Sequence, residues 1–170
     1  MKTRLLITLS VIGLTACSVT NAKSKKSAVN SGTSYIKMQE SYTQNTIPGV
    51  RGSEPYTEIH LLFNWNDKNH PEAFYWRAEA GSWLSCRVAK ATKLPKENEM
   101  GISYTIEDIS LNNVKKGDLL ELVPIDGGKH TLPAGIPQNT TNTLYFKTLK
   151  SNWLAFPVKE LKRKKDIVMP

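Results

Sequence analysis

The stretch Thr57-Glu58-Ile59-His60-Leu61-Leu62-Phe63-Asn64-Trp65 alternates with a period of two. Ile59, Leu61, Phe63 and Trp65 fall on one side, and Glu58, His60 and Asn64 on the other. Successive side chains of a strand point to opposite faces, so the pattern predicts a half-buried strand with His60 toward solvent. Asn66 to Pro71 reads as a turn. Beyond it Phe74, Trp76 and Ala78 alternate with Tyr75, Arg77 and Glu79. After Ala80-Gly81-Ser82, Leu84, Cys86 and Val88 alternate with Ser85, Arg87 and Ala89. Two alternating runs joined through a glycine predict a hairpin.

The same rhythm continues toward the C-terminus. Ile102, Tyr104 and Ile106 share one parity and Ile109 and Leu111 the other, so the phase breaks at Glu107-Asp108 in a bulge or turn. Val114-Lys115-Lys116-Gly117-Asp118 is a tight turn into a strand from Leu119 to Ile125. Asp126-Gly127-Gly128-Lys129 is another turn, and Leu132 to Pro137 an irregular loop. Leu144 to Lys147 and Trp153 to Val158 form a last strand pair around Lys150-Ser151-Asn152, with Pro157 marking the second as an edge. Lys159 to Lys165 reads as a helical turn or an extended basic tail. About seven strands with regular turn signals and no long helical pattern predict an all-β fold. The expected architecture is an antiparallel β-sandwich, immunoglobulin-like or transthyretin-like, or a small barrel. Leu111-Asn112-Asn113-Val114-Lys115-Lys116-Gly117-Asp118 resembles a turn widespread in immunoglobulin-like sandwiches.

Upstream, residues 17–52 are rich in Ser, Thr, Asn, Lys and Gly, with a small basic cluster at Lys23-Ser24-Lys25-Lys26. Such a composition buries too little apolar surface to offset its ordering entropy and predicts a flexible tether, with Tyr35 to Met38 a short strand or docking segment at most. The β-rich domain is then expected over 53–170.

The N-terminus defines where the chain resides. Met1-Lys2-Thr3-Arg4 is a short positive region, and Leu5 to Leu14 an apolar run of ten residues. A membrane span needs roughly 20, so this run is the length of a signal peptide core. It ends in Leu14-Thr15-Ala16-Cys17, which resembles the lipobox of bacterial lipoproteins. That resemblance implies cleavage after residue 16, acylation of Cys17 and anchoring in a membrane by more than one acyl chain. A single chain would bind only marginally. For a Gram-negative source, Ser18 rather than Asp at the second mature position implies the outer membrane. The domain is expected to face the periplasm.

Charge and cysteine content narrow the partners. The net charge is +8, of which Lys2 and Arg4 belong to the signal. The remaining excess favours anionic envelope polymers or headgroups, and nucleic acid is not expected for an exported chain. There are two cysteines, so acylation of Cys17 leaves Cys86 without a partner in the chain and no disulfide framework. Cys86 lies between Leu84 and Val88 on an apolar face, where an inert thiol is expected. His60, His70 and His130 show no metal-ligand spacing. Neither a nucleophile elbow nor a phosphate loop is present.

Aromatic residues concentrate around the hairpin. Trp65 and Trp76 share parity with aliphatics and are expected in the core. Tyr75 and Trp83 are the candidate binding surface, because exposed aromatics dominate the energetics of recognition. Lys162, Arg163, Lys164 and Lys165 are a second candidate surface. The sequence therefore implies a lipid-anchored, non-catalytic binding or scaffolding subunit of an envelope assembly such as a secretion machine, with no cofactor or metal. A glycan-binding lipoprotein using Tyr75 and Trp83 is the alternative. An enzyme with a dispersed site is the third reading, and it requires His60 or His130 to meet an acid in a pocket.

Overall fold

Alternating Val, Ile, Leu, Thr and aromatic residues place nearly every regular segment in a strand. The computed structural model describes residues 30–50, 52–78, 83–94, 106–125, 136 and 141–169. Its strands are β1 (Asn30–Ser31), β2 (Ile36–Ile47), β3 (Tyr56–Trp65), β4 (Pro71–Arg77), β5 (Trp83–Ala91), β6 (Ile106–Asp108), β7 (Leu119–Ile125), β8 (Thr143–Thr148), β9 (Leu154–Pro157), β10 (Lys162–Arg163) and β11 (Ile167–Val168). All belong to one sheet, ordered β1-β9-β8-β4-β5-β7-β3-β2-β10, with β11 also on β2 and β6 on β5. The hairpin is present: β4 and β5 pair antiparallel, with Arg77 opposite Trp83.

The all-β reading holds, but the expected antiparallel sandwich of seven strands does not. The fold is one mixed sheet of eleven strands that does not close. Three of its pairings, β1 with β9 and β10 and β11 with β2, are parallel. Strands of two residues carry no periodicity, which is why the sequence shows none of these.

One sheet makes a core by curling. In the sheet order β3 is separated from β4 by β5 and β7, yet Phe63 and Phe74 lie 5.9 Å apart and Trp65 and Phe146 of β8 lie 5.6 Å apart. These contacts cross the interior of the curled sheet. Leu61, Phe63, Trp65, Phe74, Trp76, Leu120, Leu122, Leu144 and Phe146 fill it, with Trp65 and Trp76 in the core as expected. The chain itself carries one edge toward the other. Gly32 N–H donates to Ala155 O at 2.8 Å, and Asn66 N–H donates to Tyr35 O at 2.8 Å. A Cβ on Gly32 would come within 2.5 Å of the Phe146 ring, so glycine is what lets the backbone pass. A shallow cavity of about 350 Å³ remains between Met38–Ser41 and Phe156–Lys162.

Two segments differ from the sequence reading. Residues 30–47, read as the distal part of the tether, are β1 and β2, and β2 pairs with β3 from Ile36 opposite Trp65 to Thr46 opposite Tyr56. The sheet therefore begins well before residue 53. The cause is that β2 buries polar side chains, Gln44 and Thr46, alongside Tyr42, so its buried face looks hydrophilic in the sequence. Of the two alternatives for the basic segment after Lys159, it takes the extended one, but as a strap paired to the outer edge of β2.

The Val114–Asp118 turn clamps β7 to β3. Gly117, at φ +94°, supplies the left-handed residue and donates its N–H to Trp65 O at 2.7 Å. Asp118 accepts from Lys115 N–H at 2.9 Å and pairs with Lys90 Nζ at 2.7 Å. Burial alone would raise the Asp118 carboxyl, but the Lys90 ammonium and the Lys115 N–H outweigh it and hold it below the usual carboxylate range. A lowered native pKa means that the unfolded chain binds the proton more readily, so this stabilisation is present above the unfolded pKa of about 3.9 and fades as pH falls through the native value. Asp118→Asn should cost about 1 to 3 kcal/mol at neutral pH. Urea unfolding of both proteins should show the gap shrinking below pH 4 as Asp118 itself becomes neutral.

Candidate functional site

Filling the core with Phe74 and Trp76 turns Tyr75 and Arg77 to the opposite face of β4. By the same alternation Trp83 of β5 and Tyr145 of β8 come to that face, because Leu84, Leu144 and Phe146 point inward. Register assembles them: Tyr75 lies opposite Tyr145 and Ser85, and Arg77 opposite Trp83. Trp153, just before β9, joins with its ring 5.7 Å from Tyr75 at 67°. Trp83 leans on Tyr145 with ring centroids 5.1 Å apart, and the Arg77 guanidinium carbon sits 5.0 Å from the Trp83 centroid. Tyr75, Trp83 and Trp153 are half-buried and Tyr145 is buried. The Trp83 Nε1 is buried with no hydrogen-bond partner among the described residues.

The structure therefore brings the two predicted aromatics, Tyr75 and Trp83, onto one face and adds Tyr145, Trp153 and Arg77. Tyr145 was detectable, since it alternates with Leu144 and Phe146. The sequence reading places Trp153 first in the last strand; the strand begins one residue later, at Leu154, whose side chain turns into the core. Interlocked rings lose little freedom on binding, and a guanidinium stacked on indole supplies a donor at the rim. The arrangement is a face of aromatic rings with a guanidinium beside them.

The basic residues divide into two roles. Lys162, Arg163 and Lys165 are exposed. Lys164 is not: it lies 2.8 Å from Glu40 Oε1 and 3.8 Å from the centre of the Tyr42 ring. Its charge fastens the strap to β2 and is already spent on that contact. Cys17 lies outside the described residues, as does His130.

His60 corrects the sequence reading. It is 7 % exposed, not solvent-facing, and its Nδ1–H donates to Glu121 Oε1 at 2.6 Å. Its ring stacks on Tyr42 at 4.7 Å and 10°. Both faces of β3 are covered: Tyr42, Leu62 and Ala91 with Leu119 form a second cluster on the face opposite the main core. An alternating strand predicts one wet face only when the sheet is one-sided. A histidine and an acid do meet, as an enzymatic reading requires. With Glu121 only 2 % exposed, they form a buried polar clamp between β3 and β7. Cys86 packs against the core, and burial pushes its thiol far up, away from the nucleophilic thiolate. Among the described residues no three His, Cys, Asp or Glu side chains gather as a metal site.

No protein-family model, curated protein or solved structure matches the chain.

A buried polar pair is costly to break on one side. Glu121→Ala and His60→Ala should each destabilise by about 1 to 3 kcal/mol. The double variant should lose clearly less than the two together, giving a coupling above about 0.5 kcal/mol in a denaturant cycle. Additive losses would show that the pair is not a unit.

Proposed function

We propose that the chain is a lipid-anchored, non-catalytic binding or scaffolding subunit of a cell-envelope assembly, facing the periplasm of a Gram-negative cell. The anchor rests on Leu14-Thr15-Ala16-Cys17 and the apolar run before it. The binding role rests on one observation: the half-buried row of Tyr75, Trp83 and Trp153 on the face of the sheet away from the core. Large aromatics held rigid at a surface act as anchors for a protein partner, since they bring contact area at little entropic cost. The same rings favour the second reading, a glycan ligand, because a sugar ring stacks on indole and phenol faces. Of the two histidines the enzymatic reading offers, His60 is enclosed with Glu121, and His130 lies outside the described residues.

Two experiments separate these readings. A clickable fatty acid should label the wild type in cells and not Cys17→Ala; label persisting in the variant would remove the anchor. In-cell crosslinking followed by purification should recover envelope proteins in fixed stoichiometry. Tyr75→Ala and Trp153→Ala should each weaken that recovery at least tenfold, about 1.4 kcal/mol or more, without lowering the unfolding midpoint by more than a few degrees. Recovery of polysaccharide alone would favour the glycan ligand.

A further inference from the structure

The ends of the sheet do not meet, and the cavity of about 350 Å³ lies in the seam between them. On one side is the first half of β2, at residues 38–41. On the other are the end of β9 and the connection that follows it, at residues 156–160. Each side carries a reason for the gap. A register shift between Met38 and Glu40 marks a bulge in β2, and Pro157 has no N–H to offer a further strand. Among the described residues the strap pairs with β2 only at Tyr42, Thr43, Thr46 and Ile47, beyond the cavity. Ser41 ties the two sides together at one end, its hydroxyl donating to Glu160 O at 2.7 Å.

Wall and rim differ in chemistry. Met38 and Phe156 pack against the main core and Val158, 7 % exposed, belongs to it, so the wall continues the core. Four charged side chains stand at the rim: Glu40, Lys159, Glu160 and Lys162. Glu40 is engaged at 2.8 Å by Lys164, which is not part of the lining. Lys159 and Lys162 are exposed and outnumber the one remaining acid, Glu160. An apolar wall under an excess of ammonium selects a hydrocarbon tail with an anionic head. At about 30 Å³ for each water-sized group, the volume admits about a dozen such groups, which is one unbranched chain rather than two.

We propose that this cavity binds a single-chain aliphatic carboxylate, its tail against Met38, Phe156 and Val158 and its head beside Lys159 and Lys162. The site is separate from the aromatic row, because Met38 and Phe156 turn to the core side of the sheet and Tyr75 and Trp83 to the opposite face. It does not depend on Cys17.

The test uses the full chain carrying Cys17→Ala, which brings no acyl group of its own. Calorimetric titration below the critical micelle concentration should show dodecanoate binding saturably, one per chain. Dodecyltrimethylammonium, with the same tail and a cationic head, should bind at least tenfold more weakly, and acetate should give no heat of binding. Met38→Trp, which fills the cavity from its half-buried wall, should weaken dodecanoate at least tenfold. The double variant Lys159→Gln, Lys162→Gln should do the same while leaving dodecyltrimethylammonium binding unchanged. Both of its positions are exposed, so the unfolding midpoint should move by no more than a few degrees. A fatty acid bearing a photoactivatable diazirine locates the site with no cavity substitution: its adducts should fall on residues 38–41 or 156–162. Absent or non-saturable binding, equal binding of the two amphiphiles, wild-type affinity in either variant, or adducts confined to the aromatic row would overturn the proposal.

Discussion

Trp65 stands in edge contact with both Phe74 and Phe146, at 6.0 and 5.6 Å. Those two residues belong to strands lying well beyond β7 and β5 in the sheet order. A flat sheet could not bring them to the last residue of β3, so these contacts require the curl. The indole N–H, which would be costly to bury unpaired, donates to Asn69 O at 3.0 Å in the turn that leads to β4. Tyr35 closes the cluster against Trp65 and Phe146, and Gly32 gives the crossover room beside the same phenylalanine. The N-terminal crossover and the β3–β4 turn thus converge on one aromatic nucleus.

That curl decides what the other face can do. On β4, β5 and β8 the inward turn of Phe74, Leu84 and Leu144 leaves Tyr75, Trp83 and Tyr145 side by side outside. On β2, β3 and β7 the outer face is itself covered, and its filling is polar: His60 with Glu121, Tyr42 stacked on the histidine, and Lys164 on Tyr42 and Glu40. Charged groups this enclosed persist only when paired, and each here has a partner within hydrogen-bond or ring contact. The strap is therefore held both by the polar cluster and by its two short parallel pairings.

How much of this was legible depends on whether a residue's signal is local. Tyr75 and Trp83 were placed correctly because alternation within one strand fixes the face on which they lie. The turn at Val114–Asp118 was legible from Gly117 alone. His60 was misplaced because a strand's own pattern cannot report a second layer of cover. β2 was missed because Gln44 and Thr46 are buried through partners distant in sequence: Gln44 Nε2 donates to Lys165 O at 2.9 Å. Lys164 could not be told from Lys162, Arg163 and Lys165, since only the structure places Glu40 and Tyr42 beneath it.

The aromatic row and the basic strap differ in chemistry. A row of interlocked rings discriminates shape, because each ring is already fixed and a mismatched partner leaves gaps. The strap carries mixed charge, with Lys162, Arg163 and Lys165 outward beside Asp166 and Glu160, and interactions of such exposed charges are screened by salt. In the sheet order β5, β7 and β3 separate β4 from β2, so the two lie on different parts of the sheet. On the proposed reading, a lipid-anchored domain is confined near the membrane before its partner arrives. The partner then meets rings that are already fixed against one another, and less of its binding free energy is lost to ordering the encounter.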